Sequence, residues 1–162
     1  MANRDLAGIG AHIRTASFRM QTEEDRTELA RLKIMHHNIN EFWDGIREGV
    51  AELNNVGDMP FGDTRIAIVE ASADHIVFRA YGRNKRYRTM DLPYPLVLVI
   101  ADRWFSKKAP STNALIGTFL AVDPRGDKVR AKQLWQQATR DGIDCERLMP
   151  ELEIAAQRQE LP

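Results

Sequence analysis

The sequence predicts an α+β protein: one long N-terminal helix, a three-stranded antiparallel β-meander, and three to four C-terminal helices. Two patterns predict it. Apolar side chains recur at helical 3–4 spacing from Leu29 to Leu53. Short β-branched runs separated by turn residues then fill positions 65–90, before helical spacing returns. The chain of 162 residues suits one ordinary domain. It is 43% hydrophobic and 28% charged, as globular proteins are. Its organisation reads as a flexible arm over 1–21, with room for a short helix, then a long amphipathic helix over 22–55. An α+β domain over 56–162 folds as one unit with that helix.

Thr22 is a plausible N-cap, and Glu23, Glu24 and Asp25 put negative charge in the first helical turn. Leu29, Leu32, His36, Ile39, Trp43, Ile46 and Val50 then mark out the a and d positions of a heptad seam, which Leu53 closes. Met35 and Phe42 widen it, and Asn54, Asn55 and Gly57 end it. A helix over 23–53 would be roughly 46 Å long at the standard rise, against ~30 Å for a compact domain of the remaining residues. It is therefore expected to overhang its domain or to break at Gly45 or Gly49, each costing ~1 kcal/mol relative to Ala. An overhanging seam would be covered by a second copy or another protein, as in a coiled coil. The same stripe would equally serve a core helix packed on the C-terminal helices.

Residues 57–63 read as loop, with Gly57, Pro60, Gly62 and Asp63 as punctuation. Strands are expected at 65–70, 76–81 and 86–90, with Gly82-Arg83-Asn84-Lys85 as the hairpin loop between the last two. Ile66, Ile68, Ile76, Phe78, Tyr87 and Thr89 can share one face by alternation. Asp91-Leu92-Pro93-Tyr94-Pro95 leads into a helix ending at Phe105, followed by helices over 113–122 and 128–140. Asp144 can cap a last helix. Trp104, Phe119, Leu134 and Trp135 are expected in the core.

The strands carry a second candidate surface. Arg79, Arg83, Lys85, Arg86 and Arg88 fall in a stretch that contains no acid, with Tyr81 and Tyr87 interleaved. Basic and aromatic side chains on a β-ribbon can grip phosphates and stack bases. They also protect a strand edge from unwanted pairing. Against a polyanion partner, Lys plus Arg and Asp plus Glu are each 23, for zero net charge.

Chemistry leaves few traces. No HExxH, GxGxxG or GxxxxGK[ST] spacing occurs, so no catalytic, cofactor or metal role is expected. His37 and Glu41 share a helical face but need further ligands to hold a metal. Cys145, the one cysteine, has no histidine in its half of the chain. A single cysteine and no apolar leader fit a cytoplasmic protein. The longest apolar run, 96–101, is far short of the ~20 residues that span a bilayer. The sequence thus points to a non-catalytic interaction or assembly module, self-associating through the 23–53 helix. A nucleic-acid-binding module using the 79–88 hairpin is the alternative.

Two resemblances add to this. Ala131-x-x-x-Trp135-x-x-Ala138, after Gly126-Asp127, resembles the second-helix spacing of a tetratricopeptide or Sel1-like repeat. Phe119 stands where that family has a small residue, and only about one 34-residue unit is covered. The stretch from about 42 to 150 also resembles a domain of hypothetical bacterial proteins with no assigned activity. Leu92-Pro93-Tyr94-Pro95-Leu96, Ala109-Pro110-Ser111-Thr112 and Phe119-Leu120-Ala121-Val122-Asp123-Pro124-Arg125-Gly126-Asp127 carry that likeness. It implies a shared fold and no chemistry.

Overall fold

Helix initiation at Thr22 is built as the sequence asks. The Thr22 hydroxyl accepts the Asp25 backbone N–H at 3.1 Å, and the Asp25 carboxylate accepts the Thr22 N–H at 3.1 Å. This reciprocal pair satisfies two donors that a helix start leaves open. The computed structural model describes residues 6–17, 22–105 and 111–152. It contains helices α1 (Leu6–Ser17), α2 (Glu23–Glu52), α3 (Tyr94–Phe105), α4 (Ser111–Val122) and α5 (Lys128–Arg140). The strands are β1 (Asp58–Phe61), β2 (Thr64–Ala71), β3 (His75–Ala80) and β4 (Arg83–Arg88). The class is α+β, with four strands where three were expected.

The chain divides into two compact units, and α2 contributes to both. One holds α1, α2 as far as Phe42, and α4 onward; the other runs from Trp43 through the sheet and α3. α2 was expected to fold as one unit with 56–162, and the division falls within it, between Phe42 and Trp43. That division also explains the length of α2: a helix too long for one compact body serves two. It runs unbroken through Gly45 and Gly49. Neither glycine is a weak point. A Cβ on Gly45 would stand 2.5 Å from Phe105 Cζ, and one on Gly49 would stand 3.1 Å from Ile100 Cγ2. Both are close-approach positions that let α3 lie against α2.

In the sheet unit, the strands run in the order β1-β2-β3-β4, each antiparallel to its neighbour. β1 occupies residues read from sequence as loop. Pro60 is tolerated because β1 is an edge strand. The register shifts between Ile68 and Glu70, leaving Val69 as the extra residue of a bulge. Alternation puts Met59, Ile66, Ile76 and Phe78 on the buried face, with Ile68 and Tyr87 partly covered. Thr89, expected to continue that face, instead opens a 3-10 turn over Thr89–Asp91. Its hydroxyl donates to the Ala73 carbonyl at 2.8 Å and its N–H to Asp74 at 2.8 Å, fastening the end of β4. Leu96, Val97, Ile100 and Phe105 of α3 are buried, whereas Trp104 is half-buried.

In the helical unit, the α4–α5 hairpin buries Phe119 and Trp135 and leaves Leu134 half-covered. Phe119 stacks on Phe42 with ring centroids 4.4 Å apart. Asn38 Nδ2 donates to Thr118 Oγ1 at 3.1 Å, and that hydroxyl donates to the Ala114 carbonyl at 2.8 Å. Trp135 Nε1 reaches both acceptors at 3.4 Å. Asp127 caps α5 by accepting the Arg130 N–H at 3.0 Å. The segment that Asp144 was expected to cap starts as a 3-10 turn, Glu146–Leu148, and Asp144 pairs with Arg147 at 3.2 Å instead. Of the 1–21 arm, 6–17 form α1, and the remainder lies outside the described residues.

Candidate binding cup on the sheet

The heptad seam is core over most of its length. Leu29, Ile39, Trp43, Ile46 and Val50 are buried by their own chain, and Leu32 and His36 are half-buried. The surface expected to await a partner through these residues is therefore a packed stripe. The physical reason is the division of α2 between two units, each of which covers its own part. His36 lies under Gly10 of α1, and Asn40 Nδ2 stands 3.2 Å from its Nε2. His37 and Glu41 are exposed, and no group of three or more metal-binding side chains comes together among the described residues.

The basic hairpin is redistributed by its register. The turn is Tyr81-Gly82, not the Gly82–Lys85 loop, because Ala80 pairs with Arg83. Tyr81 has φ 51° and Gly82 φ 73°, the positive values that a two-residue type I′ turn needs at both positions. With only two turn residues, β4 begins at Arg83, and cross-strand partners share a face. Lys85 opposes Phe78 and Arg83 opposes Ala80, on the face that carries Tyr87. Arg86 opposes Val77 and Arg88 opposes His75, on the other face with Arg79. The five cations expected to act as one grip are thus split between the faces. Arg79 Nε donates to Asn84 Oδ1 at 3.0 Å.

The outer face balances much of its charge locally. Arg65 forms a bidentate pair with Asp58 at 2.8 and 3.1 Å. The hydrogen bonds and charge of Arg65 hold the Asp58 carboxyl below its usual range. His75 lies between Glu70, at 2.8 Å, and the Ser72 hydroxyl, at 3.0 Å.

The other face opens into a cup of about 490 Å³ at the hairpin tips. Four aromatic rings, Phe61, Phe78, Tyr81 and Tyr87, line it. Phe78 and Tyr87 stack with centroids 5.8 Å apart and planes inclined by 13°. Ala80 and, from the start of α3, Pro93 and Leu96 complete the apolar lining. Lys85, Asp63 and Thr64 supply polar groups. Tyr81 is 88% exposed although aromatic, and its backbone is held in the left-handed region that non-glycine residues avoid. No family model matches this chain. Nor does any curated protein or solved structure match it.

Sequence reasoning missed the cup because it assigned Phe61 to a loop and Tyr81 to a strand. The signal was present in the dipeptide Tyr81-Gly82 between two alternating runs, a two-residue hairpin with an unusual first member. The helical unit holds further groups that the sequence did not mark. Lys128 Nζ donates to the carbonyls of Leu120 (3.0 Å), Ala121 (2.8 Å) and Asp123 (2.8 Å), closing the C-terminal end of α4. Burial lowers the pKa of that ammonium, and the charges of Asp123 and Glu151 oppose the shift. Cys145 is buried, and desolvation pushes its thiol up to about 11, with the Asp144 charge adding to it. A thiol so held is a poor nucleophile. Among the described residues, no helix is long and apolar enough to cross a membrane.

Proposed function

We propose that this protein is a non-catalytic interaction module that binds an apolar or aromatic side chain of a partner protein in the cup at the β3–β4 tip. One observation carries the reading: Tyr81, an aromatic residue 88% exposed, stands at the rim of an aromatic-lined cup. An apolar group left in water and a non-glycine residue with positive φ each oppose stability. Both at one residue, Tyr81, suit a surface kept for recognition. Apolar concavities with a few polar groups are the usual form of such sites. The polar members, Lys85, Asp63 and Thr64, can orient a bound group at the rim.

The test is titration with N-acetyl-tryptophanamide, followed by NMR. Saturable shifts at Phe61, Phe78 and Tyr87, weakened by Tyr81→Ser, are expected. Unmoved resonances at millimolar probe would reject the cup as a binding surface.

A further inference from the structure

The identity of the cup's occupant rests on the reading just given and follows from the strand beside it. β4 ends the strand order, so one of its edges meets β3 and the other pairs with no strand among the described residues. The two-residue turn fixes which backbone groups face each way. Ala80 and Arg83 flank the turn as a hydrogen-bonded pair, and alternation makes Phe78–Lys85 and Ile76–Tyr87 the next such pairs. The N–H and C=O groups of Asn84, Arg86 and Arg88 therefore point away from β3. Among the described residues, no backbone group outside β3 bonds to Arg83–Arg88.

The charge along this edge is one-signed. From 79 to 88 there are four arginines and one lysine and no acid. A second copy of β4 would bring the same charges against it, so this edge repels its own kind. An acidic strand meets the opposite situation. Strand addition also suits the split of the cations between two faces, because an added strand projects its side chains alternately to both. On one side they enter the cup beside Tyr87 and Lys85; on the other they lie against Arg86 and Arg88. A phosphate backbone would follow one face and find only part of the charge, and the chain's zero net charge offers it no long-range attraction.

We propose that β4 takes up an extended segment of a partner protein as a fifth strand, one in which apolar or aromatic side chains alternate with acidic ones. The apolar positions fill the cup, and the acidic positions pair with Arg86 and Arg88. Main-chain hydrogen bonds at Asn84, Arg86 and Arg88 hold the segment in register.

Fluorescence anisotropy with labelled peptides of about eight residues, a common strand length, tests this. The set is an alternating Glu/Phe peptide, the same composition in two blocks, an alternating Lys/Phe peptide, and oligouridine. The alternating acidic peptide is expected to bind at least about tenfold tighter than its block isomer, a difference of ~1.4 kcal/mol. Its affinity should fall as salt rises. Arg86→Pro removes an outward N–H without touching the β3 ladder. It should weaken the acidic peptide at least about tenfold while the tryptophanamide probe still binds the cup. Arg86→Glu with Arg88→Glu should reverse the preference toward the Lys/Phe peptide.

Equal affinity of the two isomers overturns the inference. So does oligouridine binding tighter than every peptide, or a charge reversal that moves neither peptide. The last comparison decides the matter if Arg86→Pro does not fold. If the probe binds and no peptide does, this inference fails alone. If acidic peptides bind and the probe does not, the cup is the part that is wrong.

Discussion

The helical unit turns its polar chemistry inward, whereas the sheet unit leaves its own at the surface. In the first, Asn38, Thr118 and Trp135 satisfy one another in the core, and Lys128 closes the end of α4. Arg31 is buried beside Glu28 and Glu151, and Cys145 is buried as a neutral thiol. In the second, aromatic rings line a cup and cations line the β4 edge, which pairs with no further strand among the described residues. Buried polar groups must be paired to be tolerated, and Asn38, Thr118, Trp135 and Lys128 are paired within the fold that holds them. The exposed Tyr81 ring and its strained turn do nothing comparable for the stability of the sheet unit. Function is better sought where structure gives a residue no other reason to be there.

Substitutions can sharpen or break this contrast. The largest effect is expected in the helical unit at Gly126. A Cβ there would collide with the Leu120 carbonyl oxygen and stand 2.7 Å from its carbon. Gly126→Ala should cost about 3 kcal/mol in urea unfolding, at the upper end for overpacking. A variant as stable as the parent would mean that the turn relaxes freely. In the sheet unit, Gly45→Ala and Gly49→Ala gain the same ~1 kcal/mol of helix propensity but meet different neighbours. Gly45→Ala presses on Phe105 and should be net destabilising by about 1–2 kcal/mol. Gly49→Ala needs only a small shift of Ile100 and Trp104 and should fall within about 0.5 kcal/mol of the parent. Equal effects at both sites would refute the close-approach account.

Cys145 gives a smaller, pH-dependent effect. Its thiol is raised to about 11 when folded, against an ordinary value of 9.0. Its contribution is therefore constant below pH 9 and is lost as pH rises from 9 to 11, where the unfolded chain sheds the proton first. Cys145→Ala should flatten that alkaline decline, measured as unfolding free energy against pH. A decline unchanged by the substitution would place its origin elsewhere. A small change of the opposite sign is expected at Tyr81. Tyr81→Asn supplies the residue that a type I′ turn prefers and should stabilise the protein by about 0.5–1 kcal/mol while weakening probe binding to the cup. Stabilisation without loss of binding would detach the strained tyrosine from recognition.

Much of the fold was legible because it rests on local rules. The Thr22 cap, the limits of α2 and the stretch Lys128–Arg140 follow from capping chemistry and helical period. Ile66, Ile76 and Phe78 fall on the buried face as their alternation requires. β1 was hidden by Pro60, Gly62 and Asp63, which resemble loop until an edge strand accommodates the proline and a two-residue turn uses the glycine. The cup was less legible than the fold. Its residues come from β1, β2, β3, β4 and the entry to α3, and only the sheet register brings Phe61 into the same lining as Tyr81.

By itself the sequence determined α2, α3, α4, α5 and the central strands, because caps, periods and turn residues act within a few positions of one another. It also placed a basic, aromatic ribbon at 79–88. Which surfaces stay open was decided only by the tertiary structure. The seam of α2 and the cations of the hairpin looked equally available along the chain. Packing closed the first, and a two-residue turn in place of the expected four-residue loop divided the second between two faces. Burial and facing depend on contacts between residues far apart in sequence, and local patterning contains no record of them.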